Sequence, residues 1–250
     1  MIKLKITPKS VAAVSASLLT LGSVAQAQTL LDVKIGTTSN DSTANGAYQE
    51  TGAAVLGSAN SWWNEYAYVS STPNGVSVVD SSDNALSGVT LSVANSGGVG
   101  SQSPTGSNPA FLFEHMPYQN PGGIFTISLT GLTASTEYEF VGYAADPAAS
   151  AGATWAVTAG TLDSGTTVND GSSIDVTTGV GKAYSDFFVT TTSGGDLTVT
   201  DTGNPGTAIT VLDGFQLELA AVPEPGPWML MLGGLGMLFA YRQFRLSKAG

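Results

Sequence analysis

Few of the residue types that carry out catalysis are present in this 250-residue chain. There is one histidine, His115, with Glu114 beside it, and there is no cysteine. A Ser-His-Asp triad would have to use His115, while a disulfide, a thiolate nucleophile or a His-rich metal site is impossible. No nucleophile elbow, P-loop or complete G-x-G-x-x-G motif occurs. We therefore assign no catalytic residue and predict that the protein is not an enzyme.

Two polar segments contain the oxygen ligands that Ca²⁺ prefers, DSSDN at residues 80–84 and NDGSSID at residues 169–175. Neither has the spacing of an EF-hand, and Asx turns explain both compositions equally well. We predict no metal site and no cofactor, with a structural Ca²⁺ as the alternative. Carboxylates also leave one enzymatic alternative open, because glycoside hydrolysis needs only two of them.

An aromatic cluster, WWNEY at residues 62–66, is the best candidate for ligand binding. Neighbouring side chains of an extended segment point to opposite faces, so one tryptophan can face the core while the other meets solvent. An exposed tryptophan stacks well on a sugar ring, and nearby polar groups bond its hydroxyls. The candidate carbohydrate contacts are Trp62, Trp63, Asn64 and Tyr66. Core packing alone is the competing interpretation, and we expect it for Trp155.

The charge distribution excludes one class of partner. Eighteen of the nineteen acidic residues lie between residues 28 and 222, whereas only two of the eight basic residues, Lys34 and Lys182, lie there. Such a body repels phosphate backbones. We therefore predict no binding to nucleic acid.

The body of the chain has the composition of an all-β protein. Charged residues make up 11% of the chain, against roughly 25% in an ordinary domain. Alternation of apolar and polar residues predicts strands in IFTISL (124–129), EYEFVGY (137–143) and FQLEL (215–219), and VSVV, VTLSV, TWAVT and LTVT have the same character. Many short strands separated by Gly, Asn, Asp and Pro predict a β-sandwich.

Two connections in this body are predicted from turn residues. Residues 131–135 have the length of a hairpin between the strands at 124–129 and 137–143. Residues 95–109 are rich in Gly, Ser and Pro and predict a long surface loop. Since no charge run or Pro-rich linker divides the body, residues 28–221 are predicted to form one exported domain.

The N-terminus has the pattern of a secretory signal peptide. Three lysines precede an apolar stretch from Val11 to Val24, which Ala25-Gln26-Ala27 follows. Signal peptidase requires small side chains at two positions before its cleavage site, here Ala25 and Ala27. We predict a signal helix in residues 1–27 and a mature chain that begins at Gln28.

The C-terminus has the pattern of a short membrane anchor. Residues 227–241 are apolar, with Trp228 and Tyr241 at the two ends. Fifteen residues are fewer than the ~20 that comfortably span a bilayer as a helix, but a basic stop-transfer tail follows at once. The tail consists of Arg242, Arg245 and Lys248. These features predict a transmembrane helix at residues 227–241 with the acidic body outside the inner membrane.

Pro223-Glu224-Pro225 precedes this apolar segment and its basic tail. This order of motif, apolar segment and basic tail, over residues 222–250, resembles the PEP-CTERM sorting signal of Gram-negative bacteria. Proteins with that signal are substrates of exosortase, an integral-membrane cysteine transpeptidase-like enzyme, typically in species that make exopolysaccharide. The resemblance implies that exosortase recognises Pro223, Glu224 and Pro225. A permanent C-terminal anchor is the alternative.

Three stretches of the body, GAAVLGSANSWWNEY, ISLTGLTASTEYEFVGYAAD and LDGFQLEL, resemble a galactose-binding-like body often joined to this signal. The resemblance implies a jelly-roll-like β-sandwich. We expect a protein that signal peptidase and exosortase process, that is anchored transiently in the inner membrane and then reaches the cell surface or extracellular matrix. Exopolysaccharide is the expected partner there. The alternatives are a surface polysaccharide hydrolase or lyase, and a structural or adhesive matrix protein without a ligand.

Overall fold

A computed structural model describes the body of the chain in nine segments: residues 30–37, 47–49, 55–57, 61–68, 75–97, 99–102, 111–113, 116–176 and 179–220. The predicted signal peptide, the sorting motif, the segment 227–241 and the basic tail lie outside the described residues, as do Glu114 and His115. The chain divides into two compact units at residue 219, and all of the described strands lie in the first. In the nine segments, no helix has the length and apolar character needed to cross a bilayer.

The described residues form sixteen strands and one short 3-10 helix at Phe111–Phe113, with no α-helix. The strands are β1 (Leu30–Thr37), β2 (Ala47–Gln49), β3 (Trp62–Tyr68), β4 (Val76–Val79), β5 (Ala85–Asn95), β6 (Val99–Gln102), β7 (Met116–Gln119), β8 (Phe125–Thr130), β9 (Glu137–Tyr143), β10 (Ala153–Ala159), β11 (Thr161–Thr166), β12 (Val168–Asn169), β13 (Tyr184–Thr190), β14 (Leu197–Asp201), β15 (Thr210–Val211) and β16 (Gly214–Leu219). The prediction of an all-β body is therefore confirmed.

These strands form two large sheets and one small sheet. The seven-stranded sheet has the order β11-β13-β9-β16-β1-β3-β2, and the six-stranded sheet has the order β12-β10-β14-β8-β5-β4. The small sheet has the order β15-β7-β6. Neighbours in the large sheets are antiparallel except β1 and β3, which run parallel. The two large sheets have a sandwich-like arrangement, because a single apolar core contains side chains from both.

The core consists of the alternate residues that the sequence pattern predicted. In β8, Phe125, Ile127 and Leu129 are buried, while the polar residues between them are only partly covered. Phe215 and Leu217 of β16 enter the same core from the opposite sheet. A period of two places every second side chain of a strand on one face, so the prediction for these segments is confirmed.

Phe140 lies at the centre of the core. Its ring stacks on Phe215, with centroids 5.4 Å apart and planes at 6°, and on Phe187 at 5.0 Å. Trp155 contacts it from the six-stranded sheet, edge-on at 5.7 Å. Offset and edge-on contacts are the favoured geometries of aromatic pairs. The prediction that Trp155 belongs to the core is confirmed, since its side chain is buried.

The two connections differ in the structure from the hairpin and the surface loop that the sequence predicted. The segment after β8 does not close a hairpin, because β8 lies in the six-stranded sheet and β9 in the seven-stranded sheet. The connection crosses between the sheets instead, and a short polar segment suits either geometry. Gly131 enables the crossing, since its φ is +78° and a Cβ there would collide with the carbonyl oxygen of Gly88.

The predicted surface loop at residues 95–109 contains the strand β6, which pairs with β7. Gly100 lies directly opposite Tyr118, and its missing side chain leaves the space that the tyrosine ring occupies. A high glycine content therefore marks close packing at this position rather than a loop.

Candidate functional site

The seven-stranded sheet has an outer face, opposite the sandwich core, that carries unusual polar chemistry. Asp32, Lys34, Trp63, Glu65 and Gln216 are side chains of this face, and all of them are buried. The cover comes from an apolar cluster that contains Leu112 and Phe113 of the 3-10 helix together with Tyr143, Val55 and Leu56. One part of the outer face is therefore a second interior.

Gln216 is the centre of a hydrogen-bond network in this second interior. Its Nε2 donates to Asp32 Oδ1 at 2.5 Å and to the Leu56 carbonyl at 3.0 Å. Its Oε1 accepts bonds from the Tyr143 hydroxyl at 2.5 Å and from the backbone N–H groups of Val55 and Leu56, both at 3.0 Å. A single amide thus fastens residues 55 and 56 onto the sheet, and its own donors and acceptor are all in use.

Burial shifts the titration of this network. Burial raises the pKa of Asp32 to about 7, with the Gln216 hydrogen bond opposing the shift and the charge of Glu218 adding to it. Burial also raises the pKa of Tyr143 well above its ordinary value. Both groups are therefore held toward their neutral, proton-donating forms.

A row of acidic side chains continues the outer face beyond the covered part. Glu218 of β16 lies directly opposite Glu139 of β9, and Asp186 of β13 is hydrogen-bonded to Glu139. The pKa of Glu139 is raised by partial burial first and then by the charges of Asp186 and Glu218. Partial burial likewise raises the pKa values of Asp186 and Glu218. A proton shared by Glu139 and Asp186 relieves the repulsion between them.

This pair is the described arrangement that comes nearest to glycosidase chemistry. Retaining enzymes hold their two carboxyl groups about 5 Å apart, and inverting enzymes hold them farther apart. Glu139 and Asp186 are coupled by a side-chain hydrogen bond, and Glu218 adds a third carboxyl group to the row.

The predicted carbohydrate contacts do not form one exposed patch. Trp63 is buried on the outer face, where its ring lies 6.5 Å from that of Tyr143. Tyr66 is buried in the sandwich core on the opposite side of the strand, and its hydroxyl accepts a hydrogen bond from Val93 N–H at 3.3 Å. Only Trp62 of the two tryptophans is partly exposed.

Asn64 has a structural partner for each of its polar atoms. Its Nδ2 donates to the Asp32 carbonyl at 3.0 Å and to the Val79 carbonyl at 2.8 Å, and its Oδ1 accepts from Val79 N–H at 2.8 Å. These bonds join β3 to β1 and to β4 of the other sheet. The side chain therefore connects the two sheets.

The two segments proposed for Ca²⁺ form turns. Asp80 Oδ1 accepts bonds from the N–H groups of Ser82 and Asn84 at 2.8 and 2.9 Å, and Asp170 Oδ1 accepts from Ser172 N–H at 2.8 Å. Asn169 is buried, and its amide donates to the Ala144 carbonyl at 2.6 Å. Throughout the described ranges, no three His, Cys, Asp or Glu side chains are grouped to hold a metal ion.

Sequence inspection missed the buried charged residues. Lys34, Asp201 and Asp213 have no exposed surface. Burial raises the pKa of Asp201 to about 8 and that of Asp213 well above its ordinary value. One signal was available for Lys34, because it lies between Val33 and Ile35 in a body that contains only two lysines.

A cavity of about 240 Å³ opens between the two large sheets. Its walls include Leu31, Leu86 and Leu217, and the Tyr138 hydroxyl at its edge already accepts a bond from Thr133 N–H at 3.2 Å. The cavity is smaller than the ~300 Å³ of typical ligand pockets.

Comparison with protein-family models, with curated proteins and with solved structures found no match to this chain.

Proposed function

We propose that this chain is an exported exosortase substrate of the PEP-CTERM type. Signal peptidase removes residues 1–27 after Ala27, a transmembrane helix at residues 227–241 holds the body outside the inner membrane of a Gram-negative cell, and exosortase then processes the chain near Pro223, Glu224 and Pro225. The product is a protein of the cell surface or extracellular matrix.

The order of features at the C-terminus carries this proposal. Pro-Glu-Pro, a glycine-interrupted apolar segment and a basic tail occur within residues 222–250. Proline removes a backbone donor and disfavours helix, so this motif suits an extended segment that a membrane enzyme can bind. Two facing sheets around an aromatic core support a jelly-roll-like sandwich. Because the body contains no cysteine, such a sandwich would fold outside the cytoplasm without disulfides.

Exopolysaccharide is the partner that we propose for the exported body. The partly exposed Trp62 is the contact that supports it, because an accessible indole stacks on the apolar face of a sugar ring. Retention of purified exopolysaccharide from an exosortase-carrying host should fall at least several-fold in Trp62→Ala. Leu162→Ala, which changes another side chain that is 44% exposed, is the matched control and should retain the glycan.

A ligand-free structural or adhesive protein is the second candidate. Burial of Trp63, Asn64 and Tyr66 favours it, because three of the four expected sugar contacts are packed inside the body and cannot meet a glycan. Equal retention of exopolysaccharide by Trp62→Ala and the unchanged protein would favour this candidate. A hydrolase or lyase is the third, and the carboxylate row at Glu139, Asp186 and Glu218 is where its chemistry would lie.

Intact mass of the protein from a host with exosortase, compared with the same host without it, tests the sorting proposal. We expect a chain that begins at Gln28 and loses the residues after the Pro-Glu-Pro motif only when exosortase is present. Glu224→Ala should leave the full C-terminus in the membrane fraction, whereas Glu137→Ala, a change at an exposed glutamate of β9, should be processed normally. A species that retains Gly250 in both hosts would identify an ordinary anchor.

A further inference from the structure

Lys34 and Glu65 form a buried pair on the covered part of the outer face. They lie directly opposite each other in the parallel register of β1 and β3. Lys34 Nζ is 3.7 Å from Glu65 Oε1, and the two side chains are 0% and 3% exposed. An amine and a carboxyl group, the two reactants of an amide bond, are thus held side by side by a sheet ladder that fixes their backbones.

The surroundings favour uncharged products over an ion pair. Leu112 covers this point of the sheet, since a Cβ on the neighbouring Gly214 would lie 3.0 Å from Leu112 Cδ1 and 3.2 Å from Lys34 Cα. Trp63 lies on the same face of β3, two residues before Glu65. Removal of two charges from water is costly unless their geometry is excellent, so a reaction that eliminates both charges is favoured in this dry location.

A third buried group, Asp213, interacts with Lys34 and is held toward its neutral form. Asp213 is fully buried, and its Oδ2 accepts a bond from Ala145 N–H at 2.7 Å. Burial raises the pKa of Asp213 well above its ordinary value, while the charge of Lys34 opposes that shift. Lys34 and Asp213 therefore interact in an interior where burial favours the protonated form of Asp213.

We propose that Lys34 and Glu65 are joined by an intramolecular isopeptide bond. A proton passes from the Lys34 ammonium to the Glu65 carboxylate, and the free amine attacks Glu65 Cδ. A second proton then moves from Nζ to a carboxyl oxygen, which leaves as water when the C–O bond breaks. The product is one neutral amide and one water molecule, without change of oxidation state and without a co-reactant.

Such a bond has a clear structural consequence. It links β1, which lies inside the seven-stranded sheet, to β3, whose outer neighbour is the three-residue strand β2. A chain without cysteine obtains in this way the covalent link that disulfides supply in other exported proteins. The proposal does not depend on the sorting signal or on a glycan.

Peptide mass spectrometry of the full-length protein, digested with chymotrypsin because that enzyme does not need a free lysine, tests the bond. We expect the peptide with Lys34 joined to the peptide with Glu65, at a mass lower than their sum by one water molecule. Fragment ions should place the junction at these two residues. Recovery of both peptides unjoined, or a junction of Lys34 to Asp213, would overturn the proposal.

Lys34→Arg preserves charge and removes the amine, and should show no loss of water from this peptide pair. Lys182→Arg, at the exposed lysine of the body, is the matched control and should retain the junction. Loss of water that persists in Lys34→Arg would come from a reaction that does not use the Lys34 amine, and would also overturn the proposal. The result for the unchanged chain decides the matter even where Lys34→Arg fails to fold.

Discussion

The outer faces of the two large sheets differ in how their polar groups are satisfied. On the six-stranded sheet the outer face carries threonine and serine hydroxyls, which are at least partly exposed and pair across strands. Thr90 and Thr130 oxygens are 2.8 Å apart, and those of Ser128 and Thr198 are 3.4 Å apart. Water completes the hydrogen bonding of such a face, so no single residue there is critical.

On the seven-stranded sheet the corresponding face carries Asp32, Lys34, Glu65 and Gln216 beneath an apolar cover. These side chains are shielded from water, so their hydrogen bonds must come from partners within the protein. A buried polar group without its partner is much more costly than an exposed one. The chemically unusual part of the protein is therefore this one face.

Replacement of Gln216 should reduce the stability of the fold more than any other change considered. Gln216→Ala removes the partner of Asp32, of the Tyr143 hydroxyl and of the backbone at residues 55 and 56. We expect the free energy of unfolding to fall by about 3–5 kcal/mol, as measured by urea denaturation. An effect below about 1 kcal/mol would show that the cover is not fastened by this amide.

The pH dependence of stability should be the next largest effect. A carboxyl group whose pKa is raised by folding stabilises the protein fully below its unfolded pKa, and this contribution is lost as pH rises through the folded value. For Asp32, with a pKa of about 7, stability should fall on the order of 2 kcal/mol between pH 5 and pH 8. Urea denaturation across that range measures the change.

Asp32→Asn should remove the part of the stability loss that comes from ionisation of Asp32, which is complete shortly above pH 7. Asp201, with a pKa of about 8, should account for a further part, which Asp201→Asn removes. The opposite slope, with stability rising between pH 5 and pH 8, would contradict burial as the dominant cause.

Glu139→Gln should stabilise the protein slightly, in contrast to the loss of stability expected for Gln216→Ala. An amide in place of Glu139 removes a like charge beside Asp186 and Glu218. We expect a stabilisation below about 1 kcal/mol at pH 8, because the group is partly exposed and solvent screens it. Glu137→Gln on the same strand is the control. Equal effects of the two changes would mean that net charge, rather than the row, is responsible.

Thr200→Ala on the outer face of the six-stranded sheet should produce the smallest effect. Its hydroxyl donates to the Ala156 carbonyl at 3.3 Å in an exposed position. We expect a change within about 0.5 kcal/mol in thermal or urea unfolding. A loss comparable with that of Gln216→Ala would remove the contrast between the two faces.

Local pattern predicted much of the fold and little of the candidate site. Alternation identified β8 and β16 because a period of two is a property of a strand by itself. The same pattern could not show that β8 and β9 belong to different sheets, since pairing depends on residues distant in the chain. It also could not separate Trp62 from Trp63, because both faces of β3 are covered in the structure.

The sequence by itself determined the all-β class, the alternate core residues such as Phe125 and Leu217, and the absence of disulfides, since composition and period suffice for these. Only the tertiary structure decided which charges are buried. Lys34, Glu65 and Gln216 are 31 and 151 residues apart along the chain, and the strand order places them on one face beneath Leu112 and Phe113. Burial is a property of the assembled layers, so no local pattern contains it.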